Sequence, residues 1–202
     1  MPAPSPTVTL ILPGLYDSGP EHWQSWWVRE DPSCVRVEQR DWATPRCDEW
    51  CARLDEAVAS LASPTTPAVL VGHSTACALI AAWSATASDE QIDRVRGAML
   101  VAPSDTEGPN YPDGPVGFTP MPLEPLRFPS IVVASDDDLY VTADRAREFA
   151  ARWGSELVML SGAGHINSAS GLGSWPAGRA LLDRLRSGSR SGERPGEAIR
   201  ST

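Results

Sequence analysis

Residues 67–77, Pro-Ala-Val-Leu-Val-Gly-His-Ser-Thr-Ala-Cys, constrain the fold of this chain more than any other stretch. Val69, Leu70 and Val71 form a short apolar run of the kind that makes a buried strand, and Leu79 to Trp83 read as the apolar part of a helix. Between them lies Gly72-His73-Ser74-Thr75-Ala76. A strand, a tight turn with serine at its tip and a helix are the context that a G-x-S-x-G nucleophile elbow requires, here with Ala76 in the last position. Bulky side chains at 72 or 76 would collide with the adjoining strand and helix. The serine stands at the head of the helix, where free N–H groups and the helix dipole favour negative charge. The plainer reading of the same pentapeptide is a serine that only caps the helix.

The rest of the chain repeats the alternation. Strands are predicted at Thr7–Leu12, around Val35 and Val37, at Ala98–Val101, at Ile131–Val133 and at Leu157–Leu160. Helices are predicted at Pro20–Asp31, Asp48–Leu61, Thr142–Trp153 and Pro176–Arg186. This pattern calls for a doubly wound, about six-stranded parallel sheet with helices on both faces. Residues 103–125 carry seven of the nineteen prolines and little periodicity, so a functional loop or pocket wall is expected there. Residues 1–186 read as a single domain, and 187–202, rich in Ser, Gly, Arg and Pro, as a disordered tail.

Composition closes off several classes of function. A formal net charge of −9 disfavours nucleic acid and anionic membrane as partners. No apolar run reaches the length of a membrane span, and the N-terminus lacks a secretory pattern, so a cytoplasmic location is expected. Cys34, Cys47, Cys51 and Cys77 are too unevenly placed for a disulfide scaffold. Cys47 and Cys51 lie four apart on a predicted helix, but no second pair or nearby histidine completes a metal site; reduced thiols and no metal are expected. The loop after the first strand, Pro13 to Pro20, lacks the glycine spacing and the Lys-Ser/Thr pair of phosphate-binding loops. Five of the eight tryptophans fall in residues 23–50, where they are expected to pack helices on the sheet.

In a parallel α/β sheet the loops after the strands open on one edge, and ligands bind there. Four chemically loaded loops share that edge: those after the first, third, fifth and sixth strands. His165 stands in a glycine-flanked loop after the last strand, and the acidic run Asp136-Asp137-Asp138 follows the strand before it. Serine acyl transfer needs a base for the hydroxyl proton and a carboxylate to orient that base. The order Ser74…Asp138…His165 is the order used by α/β-hydrolases. The remaining two aspartates then serve as turn or helix-terminal charges facing water. An oxyanion hole is expected from the N–H groups of Thr75 and Leu15. Tyr16, His22 and Tyr111 are candidates to line the substrate pocket, and His73 reads as packing or support for the elbow.

The elbow, the opening Pro13-Gly14-Leu15-Tyr16-Asp17-Ser18-Gly19-Pro20-Glu21-His22-Trp23 and the segment Gly164-His165-Ile166-Asn167 together resemble the small α/β-hydrolases grouped around retinoblastoma-binding protein nine and the bacterial YdeN proteins. The similarity covers roughly residues 7–185, including Ser135 to Asp138 and Gly171 to Pro176. It implies a compact α/β-hydrolase fold without a large cap, a triad of Ser74, Asp138 and His165, and no cofactor. The expected activity is hydrolysis of a small carboxyl ester or thioester through an acyl-enzyme. The alternative, from a different class, is a protein-binding module on a weakly active or inactive hydrolase scaffold.

Overall fold

The apolar runs pair into one six-stranded, wholly parallel sheet in the order β2-β1-β3-β4-β5-β6. The computed structural model describes residues 7–61, 63 and 66–188. In chain order the elements are β1 (Val8–Leu12), α1 (Trp23–Glu30), β2 (Cys34–Arg36), α2 (Cys47–Ala59), β3 (Ala68–His73), α3 (Thr75–Thr86), α4 (Asp89–Asp93), β4 (Val95–Val101), β5 (Ser130–Ser135), α5 (Ala143–Trp153), β6 (Glu156–Leu160) and α6 (Pro176–Ser187). The expected disordered tail lies, from residue 189 on, outside the described residues.

Strand periodicity divides the core in two. Leu10, Leu12, Leu70, Leu100 and Val132 point to the face covered by α2, α3 and α5. Ile11, Val69, Val71, Met99, Val101 and Val133 point to the face covered by α1 and α6. Because β3 and β5 are buried on both faces, their centres, Ala68–Val71 and Ile131–Ala134, run apolar without alternation. The tryptophans pack helices as expected: Trp23 lies 4.7 Å from Trp27 and 5.0 Å from Trp175, ring centre to ring centre, under α1 and α6. Burying one such ring contributes on the order of 5 kcal/mol, as an upper bound. Trp26, also expected to pack, is only half buried.

Some boundaries differ from expectation for local reasons. Helix α1 begins at Trp23, not Pro20, because His22 is its cap: Nδ1 accepts the Gln24 N–H at 3.2 Å. Helix α4 carries a capping box between Ser88 and Gln91 and escaped sequence reading because it is short. Residues 103–127 are anchored at a few points although much of the segment is exposed: Phe118 and Met121 join the core, and the Thr106 hydroxyl donates to the Phe118 carbonyl at 3.0 Å.

The chain leaves β1 toward β2 and returns to β3 on the other side, so the order in which strands are added reverses between β1 and β3. A crevice opens at such a switch point, outside the carboxyl ends of the strands. Gly14 and Ser74 face each other across it. A Cβ on Gly14 would lie 2.8 Å from the Ser74 Cβ and from the His73 carbonyl oxygen, so only glycine allows this approach.

Candidate active site

Ser74 stands in the turn between β3 and α3 with φ 59° and ψ −125°, a conformation that costs a non-glycine residue on the order of 1–3 kcal/mol. Its side chain makes no capping bond to the helix, which removes the capping reading. The strain turns Oγ away from the helix and into the crevice. Gly72 permits the turn, since a Cβ there would meet Ile80 Cδ1 at 2.7 Å. The Ser74 N–H is fixed to the Val101 carbonyl at 3.0 Å, which ties the elbow to the end of β4.

Three sequence-selected side chains meet here. His165 Nε2 lies 2.9 Å from Ser74 Oγ. Its Nδ1 lies 2.9 and 3.0 Å from the two oxygens of Asp138, whose side chain is wholly buried. Asp138 also accepts the Tyr140 N–H at 2.9 Å, and the Tyr140 ring packs 4.6 Å from the His165 ring, centre to centre. The other two aspartates do face water, but they also fasten the histidine loop: Asp136 accepts from Gly162 N–H at 2.9 Å and Asp137 from Gly164 N–H at 2.8 Å. Bonds from Gly164 and from the Ser135 hydroxyl hold the Asp137 carboxyl below its ordinary range, the hydroxyl being the larger cause.

A cavity of about 370 Å³ opens above Ser74, and it is lined by all three residues expected there: Tyr16, His22 and Tyr111. The Tyr111 hydroxyl lies 3.3 Å from Thr75 Oγ1. Leu15 and Thr75 line it too, and among the described residues their N–H groups have no hydrogen-bond partner. The neighbouring Tyr16 N–H, by contrast, is bonded to the Trp42 carbonyl at 2.8 Å. Tyr16, which lines the cavity, is 67% exposed, so an apolar ring stands at its mouth. Of the lining residues none is Lys or Arg, and the Asp17 carboxylate is paired with Arg36 outside.

Two more histidines stand beside His165. His73 Nε2 donates to the His165 carbonyl at 2.9 Å, so this residue supports the histidine loop as well as the elbow. His22 packs 4.7 Å from the His73 ring. Burial lowers His22 to about 4, with a further push from His165. Burial first, then His22 and His165, also hold His73 well below the ordinary histidine value. Both rings are therefore neutral at pH 7, and no second positive charge opposes an imidazolium at His165. Sequence reading missed Ser104, which is buried with its Oγ 2.9 Å from Ser74 Oγ. Only the pairing of His73 with Val101 brings residues 102–104 beside the elbow.

The four cysteines are unpaired thiols. Among the described residues no group of three or more His, Cys, Asp or Glu side chains is arranged to hold a metal ion, and no helix is long and apolar enough to cross a membrane.

A doubly wound parallel sheet with a strained serine at the β3–α3 turn defines an α/β-hydrolase. The serine hydrolase family model matches residues 9–184, and the chain belongs to that family. Within it the chain is YdeN-like. It is 31% identical to a YdeN-like hydrolase from Pectobacterium atrosepticum, over 90% of this chain and 91% of that one, with a TM-score of 0.76. The ydeN gene product of B. subtilis shares the fold at 18% identity, with a TM-score of 0.69 over 90% of this chain and 100% of that one. Est1E from Butyrivibrio proteoclasticus shares the fold at 13% identity, with a TM-score of 0.61 over 92% and 88%. No curated protein matches the chain by sequence.

Proposed function

We propose that the protein hydrolyses small, uncharged carboxyl esters or thioesters through an acyl-enzyme on Ser74. The observation that carries this reading is the unbroken hydrogen-bonded line from Ser74 Oγ through His165 to buried Asp138, opening on a cavity. His165 takes the Ser74 proton as Oγ attacks the carbonyl carbon, and Asp138 holds the imidazole in the right tautomer and stabilises its charged form. The N–H groups of Thr75 and Leu15 receive the developing oxyanion, each contributing about 3 kcal/mol. His165 then returns the proton to the leaving alcohol or thiol, and water repeats the sequence to release the acid.

The cavity supports this substrate class. With no Lys or Arg among its lining residues it offers nothing to neutralise an acidic acyl group, and 370 Å³ suits a short one. The exposed Tyr16 at the mouth provides apolar surface for a leaving group. The test is labelling by a fluorophosphonate probe, which requires an activated serine and no knowledge of substrate. Wild-type protein is expected to label and the Ser74→Ala variant not to. An unlabelled wild type would return the chain to the reading of a binding module on a hydrolase scaffold.

A further inference from the structure

We propose that Ser104 is a second working hydroxyl of the site, which holds Ser74 Oγ in the free enzyme and the hydrolytic water in the acyl-enzyme. The proposal rests on the reading of Ser74 as nucleophile.

Proton counting fixes the direction of the contact. A carboxylate only accepts, so His165 Nδ1, facing both oxygens of Asp138, carries the single proton of the neutral imidazole. Nε2 then has a lone pair and accepts from the Ser74 O–H. That hydroxyl has no second proton, so in the 2.9 Å contact Ser104 donates to Ser74 Oγ. Ser104 is 2% exposed and lines the cavity, and among the described residues its O–H has no other acceptor.

Acylation changes what this donor meets. Once Oγ is an ester oxygen, its lone pair is drawn into the carbonyl and it accepts weakly. A buried hydroxyl left without a partner is costly, so the site favours whatever replaces the lost acceptor. Water that deacylates must come within reach of His165 Nε2, which is itself 2.9 Å from Ser74 Oγ. One lone pair of that water attacks the acyl carbon; the other accepts a hydrogen bond from the Ser104 hydroxyl, which keeps its proton. The water gives one proton to His165 Nε2 as the new C–O bond forms. The C–Oγ bond then breaks, and Oγ recovers that proton from His165. Free acid leaves, and Ser104 again faces a serine hydroxyl.

Stopped-flow hydrolysis of p-nitrophenyl acetate separates the two steps. For Ser104→Ala the burst of p-nitrophenol, which reports acylation, is expected to slow by about threefold or less. The steady phase, which reports deacylation, is expected to slow by about tenfold, the loss of one hydrogen bond. Intact mass should show a variant carrying one acetyl group during turnover. Ser104→Cys, nearly the same size but a poor donor, is expected to behave in the same way and keeps the test decisive if the alanine variant does not fold. Equal slowing of both phases, or slowing of neither, overturns the assignment while leaving Ser74 in place. A wild type that neither turns over the ester nor takes the fluorophosphonate probe overturns the nucleophile reading and this one with it.

Discussion

The two ends of the sheet are built on opposite principles. At the carboxyl end lie strained backbone, neutral histidines and buried hydroxyls around a cavity without Lys or Arg. At the amino end a larger hollow, about 570 Å³, is lined by Arg96, Arg127 and Arg184 with Glu156, and these cations are engaged: Arg127 with Asp89, Arg184 with Glu156, and Arg96 with the Arg186 carbonyl. Nearby, Asp31 accepts from Ser33 N–H and Oγ, Arg179 and Arg186. Burial alone would push the Asp31 carboxyl up, but Ser33 and then Arg186 outweigh it and hold it well below the usual carboxylate range. The arginines of the larger hollow and the Asp31 cluster beside α6 therefore serve as ties between elements, Asp31 fastening the end of α1 to α6, while the smaller hollow holds groups whose protons and lone pairs remain available. Chemistry, not volume, separates a candidate site from a seam.

This contrast breaks first at the acid. Asp138→Asn is expected to lower kcat about 10²- to 10⁴-fold, because His165 loses its orienting carboxylate and can settle in the wrong tautomer. Asp136→Asn and Asp137→Asn act only through the histidine loop and should each cost about tenfold or less. Measuring kcat for all three on one activated ester decides between them, and a crippled Asp137 variant would move the assignment by one residue.

The neutral histidines give the carboxyl end its own pH signature. Between pH 6.5 and about 4 the unfolded chain binds a proton at residue 22 that the folded protein does not, so stability falls as pH falls through this window. The His22 contribution is about 3 kcal/mol, present in full above pH 6.5, and His73 acts in the same direction. Urea midpoints measured at pH 7 and pH 4.5 should show the drop, and His22→Phe should flatten it. An unchanged slope in that variant would place the titration elsewhere.

The amino end should respond in stability alone. Asp31→Asn is expected to cost about 2 kcal/mol, or a fall in Tm of about 4–8 °C, with kcat/KM within about twofold of wild type. Wild-type Asp31 stabilises fully above the ordinary carboxylate pKa, and its contribution is lost only as pH falls below it. A large loss of activity without a loss of Tm would show that the two ends are coupled. Smallest of all, ending the chain after Gly188 is expected to leave Tm and kcat unaltered, and a clear change in either would mean that the tail docks on the domain.

Much of this was legible in the residues. Six apolar runs alternating with helical spacing fix a parallel sheet, and Val69 to Ala76 fix a sharp turn, because period and glycine placement are local properties. The helix start at His22 was misplaced because a histidine cap has no strong sequence signal. Ser104 was invisible for a different reason: Val101-Ala102-Pro103-Ser104 looks like any strand end.

The sequence by itself therefore determined the strand order along the chain, the residue types at the open edge and the separation of serine, acid and histidine onto three loops. The tertiary structure decided which groups touch. Register between β3 and β4 sets Ser104 against Ser74, the burial of one aspartate in three sets Asp138 against His165, and the packing of α1 sets His22 against His73. Each of these depends on pairing between segments far apart in the chain, and a contact of a few ångströms is set by the sheet and its packing, not by the residues on either side of it.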